Sequence, residues 1–287
     1  MVRALLASRA GVACELAIVK TSGDRFQDRP LAELGGKGLF TKELEEALFN
    51  GEIDLAVHSM KDVPAALPPG LDIAAILPRE DARDAFLSPV APSLDALPKG
   101  ARIGTSSVRR TAQVARARPD LQILPLRGNV DTRLARLDAG DFDAILLAHA
   151  GLKRLGLQQR VTSLLSTETW LPALSQGAVG IEVADTAEAA LQAIRKLNDP
   201  ATEIALACER AFQLALDGTC RTAIGGYATF AEGTLSFRGE VLAPDGSGFV
   251  ETQFECRLGN GAAAEAAKAG RDAGMALKPR TKNWLQV

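Results

Sequence analysis

The alternation of apolar and polar positions divides the chain into a string of short elements. Residues 4–9 read as a helical piece, and "CELAIVKTSGD", from Cys14, reads as a strand ending in a polar turn at Thr21–Asp24. "LGGKGLF" is a glycine-rich loop. "TKELEEALFNG" has helical spacing, with Thr41 placed to cap its start and Gly51 to end it. "EIDLAVHSMKDVP" is an apolar strand that runs into His58, Ser59, Lys61 and Asp62 and stops at Pro64. The rhythm then repeats. "ARIGTSS" is a strand entering a hydroxyl-rich turn, and "VRRTAQVARARP" is a helix ended by Pro119. "LQILPLRGN" is a strand, and "VDTRLARLDAG" is a helix with Asn129 or Asp131 near its cap. "FDAILLAHAGLKRLG" is a strand followed by a basic turn. Strands alternating with short helices predict βαβ units, a parallel sheet and an α/β fold. A helical pattern over 186–218 breaks near Asn198–Pro200, which predicts a domain boundary. Beyond it "AIGGYATFAEGTLSFRGEVLAPDGSGFVETQFECRLG" alternates with period two, predicting a small antiparallel sheet, and "AAAEAAKAGRDAGMAL" a closing helix.

In open α/β sheets ligands bind beyond the carboxyl ends of the strands, and the unusual polar residues fall there. Ser59, Lys61 and Asp62 follow one strand. Thr105, Ser106 and Ser107 follow another, with Arg109 and Arg110 in the next helix's first turn. Arg127, Gly128 and Asn129 follow a third, with Arg133 one turn on, and Lys153 and Arg154 follow a fourth. Arginine in a first turn opposes the helix dipole, so its repetition points to an anion that outweighs the cost. Helix N-terminal amides and hydroxyls suit the same ligand. The set implies a pocket for a molecule with several carboxylates or phosphates, although each arginine taken singly reads equally well as a solvated helix residue. Asp62 reads either as a turn carboxylate paired with Lys61, or as an acid placed to stabilise a developing cation or move protons. His58 and His149 read as structural, His149 inside an apolar strand. Cys208 shares helical spacing with Leu206 and Phe212 and reads as core, while Cys256 and Cys14 invite no chemical role. Cys220, in "LDGTCRTAIGG", is a thiol in an open glycine-flanked turn with no packing explanation.

Composition narrows the classes. A length of 287 residues suits two or three domains. A net charge of −2 and 5% aromatics argue against a nucleic-acid surface. Four separated cysteines without a C-x-x-C pair fit a reducing cytoplasm, two histidines make a metal site improbable, and no apolar run is long enough for a membrane span.

The motifs "GGKGLFTKELEEAL", "AVHSMKDVP", "REDARDAF", "GTSSVRR", "LRGNVDTRL", "AGLKRLG", "SQGAVGIE" and "LDGTC" occur in this order. Through them the chain resembles the porphobilinogen deaminase (hydroxymethylbilane synthase) family of tetrapyrrole biosynthesis over nearly its whole length. The resemblance implies two lobes like those of bilobal binding proteins, joined by a double crossover, plus a small C-terminal α/β domain. It places lobe 1 at 1–78 and 178–196, lobe 2 at 83–172 and the third domain at 200–287, with "REDARDAF" near the hinge. It implies a dipyrromethane cofactor held by a thioether to Cys220, and four porphobilinogen units added head to tail with loss of ammonia. Asp62 matches the essential aspartate, which would stabilise the cationic azafulvene left when ammonia departs. Lys37, Ser59, Lys61, Thr105, Ser106, Ser107, Arg109, Arg110, Arg127, Gly128, Asn129, Arg133, Arg154 and Gln176 match cofactor- or substrate-binding positions. It further implies a cytoplasmic monomer, without metal, that passes its product to uroporphyrinogen-III synthase.

The chain departs from the family pattern at its start. The family opens with a strand carrying T-R-x-S-x-L-A, and this chain begins inside the helix that follows; "SRA" at Ser8–Ala10 lies too close to Cys14 to replace it. A late-assigned start codon fits better than truncation or natural loss, because every other motif is present. The expectation is a first lobe with unpaired backbone groups and a chain that is poorly stable or weakly active as written. Two competing readings are a bilobal anion-binding protein and an inactive truncated deaminase.

Overall fold

The first sheet of the fold collects strands from separate parts of the sequence, whereas the other two are each built from consecutive strands. The structure, a computed structural model, describes residues 1–19, 21, 41–219 and 221–285. The first sheet joins β1 (Ala56–Ser59), β2 (Leu71–Ile76) and β8 (Val179–Ala184) in the order β1-β8-β2, with both pairings antiparallel. The second joins β3 (Asp84–Leu87), β4 (Arg102–Gly104), β5 (Gln122–Leu124), β6 (Ala144–Ala148) and β7 (Ser163–Leu164) in the order β5-β4-β6-β3-β7. The third is an antiparallel meander of β9 (Ile224–Ala231), β10 (Thr234–Leu242) and β11 (Phe249–Arg257). The chain leaves the first sheet through residues 77–83 and returns to it through 165–178, a double crossover. The architecture is therefore α/β, with two crossover-linked sheets and a third, C-terminal one.

The helices follow from their caps and apolar stripes. A short helix α1 (Val2–Leu5) continues into a π turn at Leu6–Ala10, and buries Val2 and Leu6 against Ile181, Val183 and Ile194. In α2 (Lys42–Phe49) Thr41 stands at the N-cap without a side-chain cap bond, and Gly51 ends the turn at φ +68°. Ser107 caps α3 (Val108–Ala117) and Asn129 caps α4 (Val130–Asp138), each accepting a backbone N–H. After α5 (His149–Arg154) and α6 (Glu188–Arg195), Asp199 caps α7 (Pro200–Ala215) with proline at its first position. This is the break expected near Asn198–Pro200. α7 and α8 (Ala262–Thr281) cover one face of the third sheet, where Phe212 meets Phe237 at 5.0 Å. A Cβ at Gly270 would collide with the Cys208 carbonyl, so the two helices need that glycine to approach. Cys208 lies in this core, as expected, and burial pushes its thiol well above the usual range.

Several expectations are corrected. The second sheet is mixed: β4 runs parallel to β5 and β6, but β3 is antiparallel to both β6 and β7. β3 arrives from the first sheet by a short crossover rather than from a helix that returns the chain to the same edge, so nothing imposes parallel entry. Residues 11–19 form no strand; Leu16 and Ile18 are exposed, and the alternation there meets no ladder partner among the described residues. His149 opens α5 instead of sitting in the strand. "DAF" of "REDARDAF" lies inside β3, leaving only residues up to Arg83 in the crossover.

Candidate functional site

β1 carries the chain to the first cluster. After Ser59 a 3-10 turn, Met60–Asp62, buries Met60, leaves Lys61 half-buried and exposes Asp62. The burial is possible because β8 offers Gly180, where a Cβ would collide with the Met60 sulfur. His58, opposite Gly180, is a satisfied buried histidine, its Nε2 2.8 Å from Glu182 Oε2.

The second cluster is built on Asp84, at the start of β3 and fully buried. Arg109 donates to its Oδ2 at 2.8 Å and Arg110 to its Oδ1 at 2.6 Å. Trp170 Nε1 at 2.9 Å and Gln176 Nε2 at 2.8 Å complete the shell. Burial opposes ionisation of Asp84, but the two guanidiniums overcome it and hold the carboxyl far below the usual carboxylate range. The anion that outweighs the dipole cost of these first-turn arginines is thus a side chain of the protein itself. Arg109 also reaches Gln113 and the Leu171 carbonyl, and Arg110 the Leu146 carbonyl, while the Nε–H of each stays buried without a partner. Gln176 donates to the Ala82 carbonyl as well, and its Oε1 is unpartnered. Gln113 extends the shell to Glu240 of β10 at 2.6 Å.

The hydroxyls at the β4 end shape the turn. Thr105 accepts from the Ser107 amide, Ser106 from the Leu126 amide and Ser107 from the Arg110 amide. Gly128 sits at φ +100°, a conformation that favours glycine, and Asn129 accepts from the amide and hydroxyl of Thr132.

These pieces meet electrostatically. Burial lowers the Lys61 pKa, and Asp62, Arg110, Asp84 and Arg109 all act on it through space. Burial likewise lowers Arg133, with Arg110, Arg127 and Asp62 as its charged neighbours. The Arg133 Nε donates to the Gly128 carbonyl, and Arg154 donates to the Gly177 carbonyl at 2.7 Å. Among the described residues Lys61, Arg133 and Arg154 have no carboxylate within ion-pair distance, whereas Arg109 and Arg110 share the single carboxylate of Asp84. The cluster of Lys61, Arg109, Arg110, Arg127 and Arg133 around Asp62 and Asp84 therefore holds more positive than negative charge in a partly desolvated place, while Arg154 has Glu80 as its charged neighbour. Lys37 and Cys220 lie outside the described residues. No group of three or more metal-ligating side chains occurs among the described residues, and no described helix is long and apolar enough to cross a membrane.

Comparison with known proteins gives this geometry its context. Residues 1–192 match the family model "Porphobilinogen deaminase, dipyromethane cofactor binding domain", and residues 204–278 match "Porphobilinogen deaminase, C-terminal domain". The chain belongs to the porphobilinogen deaminase family. Porphobilinogen deaminase of Nitrobacter winogradskyi is 52% identical over 262 residues, 91% of this chain and 81% of the relative. That of Nitrobacter hamburgensis is 51% identical over 282 residues, 97% and 88% of the two chains. Solved structures with a partial likeness in shape include an ABC transporter substrate-binding protein from Coxiella burnetii, with a TM-score of 0.43, 14% identity, and coverage of 69% and 85%. The methionine-binding protein MetQ has a TM-score of 0.43, 13% identity, and coverage of 68% and 82%. The family's reaction is the polymerisation of porphobilinogen into hydroxymethylbilane, a transferase step of tetrapyrrole biosynthesis, and this chain is an enzyme of that class with a dipyrromethane cofactor. The binding-protein and inactive-deaminase readings find no support.

The residues present fit that cofactor. Its two pyrroles carry acetate and propionate groups, and Lys61, Arg133, Arg154 and the unpaired Nε–H groups of Arg109 and Arg110 are donors without carboxylate partners of their own to satisfy them there. Asp84, Gln113 and Glu240 escape a reading of the sequence for site residues. The only local signal is a charged residue heading a short, otherwise apolar stretch, "DAFL", that turns out to be buried throughout.

Proposed function

We propose that Asp62 is the catalytic carboxylate of the polymerisation and that Cys220 holds the dipyrromethane through a thioether. When bound, the cofactor supplies a tethered primer whose terminal pyrrole carbon is the nucleophile. Asp62, exposed beside the cationic cluster, binds the pyrrole N–H groups of the incoming substrate. Its negative charge opposes the positive charge that develops as ammonia leaves, and it can accept the proton whose loss restores the new ring. Lys61, Arg127, Arg133 and Arg154 bind acetate and propionate carboxylates, with Lys37 and the Nε–H groups of Arg109 and Arg110 completing the set. Ser59, Thr105, Ser106, Ser107, Gly128, Asn129 and Gln176 shape and line the pocket. Lobe 1 comprises 1–78 and 178–196, lobe 2 comprises 83–172, and the cofactor-carrying domain comprises 200–287. The enzyme works as a monomer in the cytoplasm and hands its product to uroporphyrinogen-III synthase.

The observation that carries this reading is the surplus of partly buried cations around the exposed Asp62. Intact-mass spectrometry of the purified chain tests the attachment. The wild type is expected to carry the mass of two linked pyrroles, and Cys220→Ser to lack it. An active protein whose Cys220 is unmodified would overturn the assignment. Asp62→Ala that turns over normally would overturn the role given to Asp62.

A further inference from the structure

Arg210 lies on α7, in the C-terminal part of the chain, yet its guanidinium reaches the segment just past Asp62. It donates to the carbonyls of Pro64 at 2.8 Å, Ala65 at 3.2 Å and Val63 at 3.4 Å. No helix or strand runs from Val63 to Gly70, so no regular backbone ladder fixes these carbonyls. The prolines at 64, 68 and 69 also remove amide donors that could tie the segment elsewhere. Arg210 is thus the side-chain clamp on the exit from the Met60–Asp62 turn.

The clamp is held from behind. Glu182 of β8, fully buried, acts on Arg210 through space, and its Oε2 is fixed by His58 of β1, the strand that enters the turn. Glu209, the preceding residue, anchors α7 by accepting from Arg79 at 2.6 Å and from the Ser175 and Ala228 amides. One helix therefore grips both crossovers through Glu209 and the Lys61–Asp62 turn through Arg210, and the same helix leads in sequence to Cys220.

We propose that Arg210 is a positioning residue for the reaction. It fixes the turn carrying Lys61 and Asp62 against the helix that precedes the cofactor's attachment cysteine. The proposal rests on the reading of Asp62 as the catalytic carboxylate. A guanidinium spreads its donors over separate nitrogens in a planar fork that spans neighbouring carbonyls, whereas an ammonium offers its three donors from one nitrogen and an amide has only two. A displacement of the carboxylate by about 1 Å costs on the order of a hundredfold in rate, and substrate carboxylate contacts made by other residues are untouched.

The test uses holoenzyme of Arg210→Gln and Arg210→Lys, with Asp62→Asn alongside. Both Arg210 variants are expected to keep the covalent cofactor mass. In Arg210→Gln kcat should fall about tenfold to a hundredfold, with KM rising by less than the roughly tenfold expected for loss of Lys61 itself, and Arg210→Lys should lie between it and the wild type. Methylguanidinium, added to Arg210→Ala below unfolding concentrations, should restore part of kcat, which a general loss of structure would not permit. Wild-type kcat in Arg210→Lys, or in a folded Arg210→Gln, overturns the proposal, as does a loss of activity wholly matched by a loss of cofactor mass. Should Asp62→Asn turn over normally, the reading of Asp62 falls; should it be inactive while Arg210→Gln is normal, only the role of Arg210 falls.

Discussion

Replacing Asp84 by asparagine removes one charge from a site closed to solvent. Asp84 accepts four hydrogen bonds, from Arg109, Arg110, Trp170 and Gln176, and none of its surface is exposed. Asparagine retains one acceptor oxygen and turns an NH₂ toward donors. Arg109 and Arg110, both buried, lose their counter-charge together. Removing one partner of a buried ion pair costs about 3–5 kcal/mol, mostly as the penalty of the charge left behind. The hydrogen bonds are not added on top, because the same desolvation is counted in both. Trp170 supplies the assay. It is one of two tryptophans, so in a Trp284→Phe background its fluorescence reports the unfolding of this region alone. Urea unfolding of Asp84→Asn at pH 7.5 should show the Trp170 transition weakened by about 3–5 kcal/mol. The sign of the pH dependence follows from the depressed carboxyl. Its stabilisation is complete above the unfolded value of about 3.9 and is lost as pH falls through the folded value. The deficit of Asp84→Asn should therefore be constant from neutral pH down to about pH 5 and begin to shrink only below about pH 4. A deficit under about 1 kcal/mol at pH 7.5, where a buried pair demands several, would refute the claim that Asp84 is the counter-ion shared by both arginines.

Two further predictions concern neighbouring charges. Burial raises the Glu240 carboxyl pKa, against the pull of Gln113, Arg109 and Arg116, so its contribution to stability is greatest in acid and declines as pH rises through the folded value. Glu240→Gln keeps the acceptor for Gln113 and should match the wild type at pH 4 but gain up to about 1 kcal/mol at pH 8, as thermal unfolding across that range would show. Burial lowers the Lys61 pKa, so its ammonium is lost at a lower pH than that of an exposed lysine, and substrate affinity should weaken as pH rises through that value. Lys61→Met should raise KM for porphobilinogen about tenfold or more at neutral pH, the scale of a charge-assisted hydrogen bond, and flatten the alkaline limb of kcat/KM. An unchanged limb would assign it to another group.

The parts of the site that sequence patterns reveal are those written locally. Ser107 and Asn129 cap helices that begin immediately after them, Asp199 and Pro200 mark the start of α7, and the period-two tail forms the third sheet. The strand leading to Ser59, Lys61 and Asp62 is likewise visible from its apolar run. β3 is not, because a four-residue strand buried on both faces has no alternation, and its leading aspartate looks like loop chemistry. The arginines at 109 and 110 illustrate a different limit. Their placement announces an anion correctly, but the anion nearest them is Asp84, far earlier in the chain, and only the fold brings the two together. The apolar alternation at 14–19 fails for the opposite reason: the pattern is present, but a strand also needs a partner to bond, and the described residues provide none there.

The buried acids explain how one chain can hold a rigid frame beside an unsatisfied pocket. Asp84, Glu182 and Glu209 are each fully buried, and each joins segments distant in sequence. Asp84 ties β3 to α3 and to Trp170 and Gln176 of the returning crossover; Glu209 ties α7 to Arg79 of the outgoing crossover and to Ser175 of the returning one. Glu182 ties β8 to His58 of β1. Such pairs add little net stability over apolar packing, yet breaking one is costly, so alternative placements of the crossovers are penalised. The cations near the site thus divide by their partners. Arg79, Arg109 and Arg110 answer to acids of the frame, whereas Lys61, Arg133 and Arg154 have none within ion-pair distance among the described residues. The two groups should respond oppositely to removal. Loss of a frame charge lowers stability first and activity as a consequence, while loss of a pocket cation relieves uncompensated positive charge and lowers substrate affinity without lowering stability.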